Sequence, residues 1–329
     1  MRVALFGLTP LERDAFAATA LPTGLVASDI GLPLTAATVE LAARHDAVCC
    51  GLDEPLDEPL LARLAELGVH HVALRGSGYN TVDLAAAARV AIGVSHVPDF
   101  SPHAVAEHTL ALILSLARDT HFAWARVREG RLEQVGEAGL LLAGATVGVV
   151  GAGRIGRLVA KMLLAFDCRV LVADPAPRAD LAWAGARVVG LETLLRESDV
   201  VTLHCPLDAA TRHLVDAQRL AWMKPGAMLV NTGRGALLDL PEVVAAVESG
   251  RLGRLGIDVY EQVGPLYHDE RGPDVIDAAL IARLARSPRV LVTNHQGYLT
   301  RSTLAQIAAA TYEALDAVQH GRRPLHGAP

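Results

Sequence analysis

The sequence predicts an α/β protein built on parallel sheets, and three observations carry that prediction. Short β-rich runs alternate with Ala/Leu-rich helical patterns from one end to the other, the order expected when parallel strands are joined by right-handed helical crossovers. Most strand candidates are continuous apolar runs rather than alternating ones, as strands covered on both faces should be. A glycine-rich stretch, Val147-Gly-Val-Val-Gly151-Ala-Gly153-Arg154-Ile155-Gly156, stands where one such run gives way to a helical pattern.

Taken in order, the expected strands are Val3 to Phe6, Ala47 to Cys50, His71 to Arg75, Val147 to Val150, Val170 to Ala173, Val200 to His204, Met228 to Asn231, Leu255 to Asp258 and Val290 to Thr293. Between the third and fourth, Ser101 to Arg118 reads as one long, largely buried helix. It has a serine cap, proline at the first helical position and dense apolar spacing. A domain-core helix and a bridge between domains or subunits fit this pattern equally well.

The 329 residues exceed one ordinary core and suit two domains. With 51% hydrophobic and 20% charged residues, the chain can bury enough apolar surface to offset its conformational entropy, so a disordered chain is not expected. The net charge of −6, without a long Lys/Arg run, offers no electrostatic footprint for nucleic acid or an anionic membrane. The opening segment reads as a strand rather than a signal peptide. The longest apolar stretch, around Leu140 to Val150, is broken by Gly144 and Gly148 and falls short of the ~20 residues of a membrane span. Four cysteines, at 49, 50, 168 and 205, show neither zinc spacing nor a disulfide framework, so no metal is expected and a reducing cytoplasm fits.

The glycine stretch follows a strand and opens a helix, the context that gives this pattern meaning as a dinucleotide site. Gly151 permits the tight turn, Gly153 lets backbone approach a pyrophosphate, and Gly156 lets helix and strand pack closely. Arg154 and Ile155 sit in the first helical turn, whose N–H groups and dipole face the phosphates. The next strand ends in Asp174, placed to accept hydrogen bonds from an adenosine ribose. That favours NAD over NADP, with Arg178 leaving dual use open.

Because the glycines begin only at residue 151, the organisation resembles the D-2-hydroxyacid dehydrogenases, and the resemblance runs over nearly the whole chain. It implies a Rossmann NAD-binding domain, residues 101–295, inserted into a flavodoxin-like substrate domain of residues 1–100 and 296–329. Several segments are similar to that family's motifs. Arg75-Gly-Ser77-Gly78-Tyr-Asn-Thr-Val-Asp83 resembles the loop whose N–H groups bind the substrate carboxylate. Val97-Pro-Asp-Phe100-Ser-Pro resembles the crossing into the cofactor domain. His204-Cys205-Pro206-Leu, then Thr211, resembles the nicotinamide-side loop. Asn231-Thr232-Gly233-Arg234-Gly235 contains the arginine the family places over the keto acid. Gly256-Ile-Asp258 supplies the aspartate near the nicotinamide carboxamide. Thr293-Asn-His295-Gln-Gly-Tyr298 carries the acid/base histidine, in wording closest to D-lactate dehydrogenases. The resemblance also implies a homodimer, with a tetramer as its extension.

The chemistry asks for the same residue types. A keto acid needs a fixed, planar cation on its carboxylate and carbonyl, which Arg234 can supply. The developing alkoxide needs a proton from a group that titrates near neutrality, which His295 can supply. Ser77, Gly78, Phe100 and Tyr298 complete the expected substrate contacts.

The chain departs from the family pattern twice. Val263 stands where a glutamate partners the catalytic histidine, and Phe100 stands where D-lactate dehydrogenases commonly carry tyrosine. Loss of the carboxylate partner removes support for the charged imidazole, and Glu261 is the residue that could replace it. Two readings of function follow. One is a working NAD-dependent D-2-hydroxyacid dehydrogenase, with pyruvate and D-lactate as the leading pair. The other is an NAD(H)-binding regulatory or sensor homologue with weak or lost turnover.

Overall fold

The computed structural model describes the chain apart from residues 53, 80, 98–100, 134–137, 177–184, 261–275, 325 and 328–329, and the side chains of 276–279. Val263, Glu261, Phe100 and Arg178 therefore lie outside the described residues. The chain divides into two compact units. One takes its described residues from Met1–Ser101 and Leu299–Pro329, and the other from 102–260 and 276–298.

The first unit is built on five parallel strands: β1 (Arg2–Leu5), β2 (Val26–Asp29), β3 (Ala47–Cys50), β4 (His71–Leu74) and β5 (Gly93–His96). Their spatial order is β2-β1-β3-β4-β5, the doubly wound order with its switch point between β1 and β3. β3 and β4 are buried along their whole length, because helices cover both faces. The final helix, Arg301–Gln319, lays Ala308, Tyr312 and Leu315 against Val3, Leu5 and Phe16. The ring of Tyr312 meets that of Phe16 edge-on at 5.3 Å.

The second unit has seven parallel strands: β6 (Thr146–Val150), β7 (Arg169–Ala173), β8 (Arg187–Val188), β9 (Val200–Leu203), β10 (Ala227–Asn231), β11 (Leu252–Ile257) and β12 (Val290–Val292). They run in the order β12-β11-β10-β9-β6-β7-β8, so the winding reverses between β6 and β9. One face is covered by the helix Pro102–Ala117, whose Ala106, Leu112, Ile113 and Leu116 are all but fully buried. It packs with the helix Arg154–Ala165 over β6, β7 and β10. A side chain at Gly256 would come within 2.9 Å of the Leu116 side chain, so the two pack closely where the helix crosses β11. The long helix expected from Ser101 to Arg118 is thus a core helix of this unit.

All nine expected strands are present, shifted at their ends by no more than a few residues. The three that the sequence reading missed, β2, β5 and β8, are sheet edges. An edge strand is covered incompletely, and Val-Ala-Ser-Asp, Gly-Val-Ser-His and Arg-Val carry no apolar run to announce it. Cys49, Cys50 and Cys168 are buried free thiols, and burial pushes the Cys49 thiol up to about 11. No helix among the described residues is long and apolar enough to cross a membrane.

At the switch point of the first unit lies a buried charge network. Arg75, directly after β4, has a side chain only 3% exposed. Its guanidinium donates to Glu12 at 3.2 Å, to the Phe6 carbonyl at 2.8 Å and to the Gly7 carbonyl at 3.1 Å. Glu12 in turn closes a capping box with Thr9 at the start of the helix Pro10–Ala18. One residue therefore ties the ends of β1 and β4 to a helix terminus. Replacing Arg75 with Met leaves Glu12 buried without its cation, and the expected loss is about 3–5 kcal/mol of stability, measured by urea denaturation. A loss below about 1 kcal/mol, the range of surface pairs, would contradict the network's structural role.

Candidate active site

Among the described residues, those expected to carry chemistry follow the C-terminal ends of strands, where doubly wound sheets place their ligands. In the first unit, Arg75 and Gly76 are buried and Ser77 and Gly78 are partly exposed. The loop is therefore anchored at its root and accessible at its tip. A side chain at Gly76 would displace the Leu52 side chain, 2.3 Å away, and the Gly76 carbonyl accepts from the Val97 N–H at 2.9 Å.

In the second unit the three glycines behave differently from one another. Gly151 has φ +92°, and a side chain on it would lie 2.5 Å from the Cys205 backbone nitrogen. The loop after β9 crosses so close that only glycine fits. At Gly156 a side chain would fall 2.0 Å from the Gly151 carbonyl oxygen, so helix and turn are in direct backbone contact. Gly153 faces open space. It caps the helix Arg154–Ala165 without any side-chain hydrogen bond, which leaves the first N–H groups and the positive end of the dipole for an anion. Arg154 is exposed, and Ile155 packs into the core beside it. Asp174, next after β7, accepts from the Ala152 N–H at 2.6 Å and from the Ala176 N–H at 2.8 Å. It stands against the glycine turn on the side where the second strand ends. These residues fit a dinucleotide: the N–H groups after Gly153 would hold its pyrophosphate and Asp174 its ribose.

The loop after β9 is self-braced. The Thr211 hydroxyl donates to the Pro206 carbonyl at 2.7 Å and accepts from the Asp208 N–H at 2.8 Å, while Cys205 is half-buried. His204 bonds Thr202 at 2.9 Å. Burial lowers its pKa to about 3, so it is neutral at any working pH and serves the fold.

Arg234 is placed by its neighbours in the chain. The fully buried Asn231 accepts from the Gly233 N–H at 3.0 Å and donates to the Arg234 carbonyl at 2.9 Å, so its side chain shapes the turn that presents the guanidinium. The Arg234 side chain is exposed and touches the Gly233 carbonyl at 2.8 Å. Thr232 is buried, with its hydroxyl on Thr109 at 2.8 Å.

His295 is held in an unusual conformation. Asn294 and His295 have φ of +53° and +58°, a left-handed pair that costs non-glycine residues energy unless the surroundings enforce it. The enforcing group is Asp258, whose side chain is 2% exposed. One carboxylate oxygen accepts from the Thr293 hydroxyl at 2.6 Å, the Gln296 N–H at 2.7 Å and His108 Nε2 at 3.2 Å. The other accepts from the Gly297 N–H at 2.9 Å. The Asp258 carbonyl takes the His295 N–H, and the Asp258 N–H donates to Asn231 at 3.0 Å. The loops bearing Arg234 and His295 are thereby joined. The His295 ring stands edge-on to Tyr298 at 5.6 Å, and the Tyr260 hydroxyl donates to Asn294 at 2.7 Å. Asp258 was expected at the carboxamide, and both its oxygens are engaged by the protein. The sequence reading gave no role to Asn231, Thr293, His108 or Thr109. The first two were visible within the motifs, whereas the last two lie in a helix whose pattern signals only burial.

Burial alone would raise the Asp258 pKa, but the hydrogen bonds from His108, Thr293, Gln296 and Gly297 outweigh it and hold the carboxyl at about 2. Its stabilising contribution is full above the ordinary carboxylate range and is lost as pH falls from about 4 toward 2. Asp258→Asn should therefore lower stability by about 2 kcal/mol at pH 7 and flatten the acid limb of the stability curve between those values. Urea titrations at pH 7 and pH 3 check both, and an unchanged acid limb would remove Asp258 from this role.

Comparison with known proteins bears on the same residues. The sequence profile of "D-isomer specific 2-hydroxyacid dehydrogenase, NAD binding domain" matches residues 110–297, a span holding the glycine turn, Asp174, Arg234, Asp258 and His295. The 2-hydroxyacid dehydrogenase A of Aspergillus oryzae is 40% identical over 319 residues, 96% of this chain and 92% of the relative. A D-lactate dehydrogenase of Curvularia clavata is 42% identical over 285 residues, 87% and 82% of the two chains. The apo structure of D-lactate dehydrogenase from Escherichia coli superposes with a TM-score of 0.92 at 33% identity, covering 100% of both chains. The parallel-sheet units, the NAD-type glycine turn and these likenesses agree, and the chain belongs to the NAD-dependent D-2-hydroxyacid dehydrogenase family of enzymes.

Proposed function

We propose that this enzyme interconverts a small 2-keto acid and its D-2-hydroxy acid with NAD(H), with pyruvate and D-lactate as the leading pair. The observation that carries the proposal is the joining of the Arg234 and His295 loops through Asn231 and Asp258, beside an NAD-type glycine turn. When bound, the reduced nicotinamide supplies the hydride to the keto carbon. Arg234 holds the substrate carboxylate and draws charge toward the carbonyl oxygen, a task for planar guanidinium. His295 gives its proton to that oxygen as the alkoxide forms, and takes one back in the oxidative direction. The family resemblance assigns the substrate carboxylate to the N–H groups of the Ser77–Gly78 loop and further substrate contacts to Phe100 and to Tyr298, whose ring stands against that of His295.

Asp174 supports a preference for NAD, because a 2′-phosphate beside it would meet like charge. In this reading Cys205, Pro206, Thr211, Thr232 and Gly233 line the nicotinamide side. The reading includes a homodimer, supported by Trp124 and Val127, 63% and 57% exposed on a helix, Thr120–Arg128, that buries none of its residues. It also includes a cytoplasmic setting, supported by the buried free thiols.

The deciding experiment offers purified protein a panel of 2-keto acids with NADH or NADPH and follows loss of reduced cofactor. Pyruvate or a close relative should be reduced with NADH preferred, and Arg234→Lys should lose more than ~100-fold in kcat/KM because an ammonium lacks the two-pronged contact. No turnover of any keto acid, or equal use of the two cofactors, contradicts the corresponding part of the reading.

The regulatory alternative rests on Val263, where the family pattern has glutamate. Without that carboxylate, reduction should weaken as pH rises through a lowered histidine pKa. Val263→Glu should extend activity to higher pH and raise the rate near pH 7.5 by part of the ~10²–10⁴ available to general acid catalysis. An unchanged rate and pH profile in a variant that folds and binds NADH would show that proton delivery does not use that position.

A further inference from the structure

Two consecutive residues of the helix Pro102–Ala117 each reach a different loop of the candidate site. His108 Nε2 lies 3.0 Å from the Thr293 hydroxyl oxygen and 3.2 Å from the Asp258 carboxylate. Thr109 lies 2.8 Å from the Thr232 hydroxyl. The protons can be assigned. The Thr293 hydroxyl spends its one hydrogen on Asp258, so His108 Nε2 must carry a hydrogen and donate. Thr109 donates to the Val105 carbonyl at 2.8 Å and so accepts from Thr232. Neighbouring positions on a helix point about 100° apart. A helix lying along β10, β11 and β12 can therefore serve the loop after β10 with one side chain and the loops after β11 and β12 with the other.

We infer that His108 and Thr109 are positioning residues that hold the Arg234 and His295 loops in fixed relation, with His108 completing the set of donors that keeps Asn294 and His295 left-handed. The inference deepens the proposed function and rests on that reading for its effect on turnover. Its structural content stands separately. A core helix needs only apolar side chains on its inner face, and this one instead places an imidazole and a hydroxyl midway along its length. The imidazole N–H lies between the Thr293 hydroxyl oxygen and the Asp258 oxygen that already takes Thr293 and Gln296, so it fixes the Thr293 end of the loop against a carboxylate nearly sealed from water, where losing a polar partner is costly.

The test uses the full-length protein and two measurements: amide hydrogen exchange without cofactor, and steady-state kinetics with NADH and pyruvate. In His108→Leu, exchange at Gln296 and Gly297 should accelerate at least about tenfold while β6 and β9 keep wild-type protection. kcat should fall about 10- to 100-fold with NADH affinity within about twofold, the pattern of a displaced catalytic group rather than a lost binding site. His108→Gln, whose amide can donate from a similar position, should restore loop protection and most of kcat. Thr109→Val keeps shape and removes the hydroxyl, and it should loosen residues 231–235 alone. Wild-type exchange in the 293–298 loop of His108→Leu overturns the inference, as does acceleration spread evenly over the second unit. If the wild-type protein reduces no keto acid, the proposed function fails, while the exchange comparison still decides whether these residues position the loops.

Discussion

The candidate site depends on one buried carboxylate. Asp258 sits at the end of β11 with almost no contact with water, and an isolated charge there would be unfavourable by several kcal/mol. It is tolerable because four donors converge on it from two elements: a helix side chain and the hydroxyl and two N–H groups of the loop after β12. The dependence runs both ways. Those N–H groups belong to a loop containing two residues of positive φ, a path that Asn and His tolerate better than most residues but that is seldom taken by two in a row without tertiary support. The carboxylate makes that path the one in which the buried charge is satisfied. His295 is thus presented by the requirement to satisfy the hydrogen-bonding capacity of a buried carboxylate.

Parallel topology explains why these parts meet. In a doubly wound sheet all strands end on the same edge, so the turns after β6, β7, β9, β10, β11 and β12 gather there whatever their separation in sequence. The reversal between β6 and β9 brings the Cys205 backbone against Gly151, and the adjacency of β10 and β11 lets Asp258 bond Asn231. The first unit uses the same device with different chemistry. At its switch point the ends of β1, β3 and β4 are gathered by Arg75, whose multiple donors can satisfy several carbonyls and a carboxylate at once. In both units a buried ionic group organises a loop, and the accessible residues follow it in the chain: Ser77 and Gly78 after Arg75, His295 ahead of the N–H groups bound to Asp258.

Rigid placement also suits the chemistry. Moving a hydride and a proton to adjacent atoms rewards groups held within a fraction of an ångström. Asn231 makes both of its side-chain bonds within the turn that bears Arg234, and Thr109 secures Thr232 in the same turn. The guanidinium therefore emerges from a fixed base. His204, close by but buried and neutral, contributes packing and a hydrogen bond to Thr202, which separates it in kind from His295.

Much of this was determined by the sequence alone. Continuous apolar runs marked the central strands, since burial on both faces favours apolar side chains, and Gly151, Gly153 and Gly156 with Asp174 announced the dinucleotide turn because that spacing is dictated by local backbone geometry. Arg234 and His295 were legible from motifs of a few residues each. Tertiary structure decided the rest. The edge strands β2, β5 and β8 carry no burial signal, because pairing with a neighbour rather than apolar content creates them. The engagement of Asp258 by the Thr293 hydroxyl and the Gln296 and Gly297 N–H groups, the reach of His108 and Thr109 across to loops more than a hundred residues away, and the burial of Arg75 against Glu12 are long-range bonds made by residues of unremarkable local pattern. Periodicity records which face of an element is buried and motifs record short-range geometry. Which polar groups meet inside is set only when the strands take their order in the sheet.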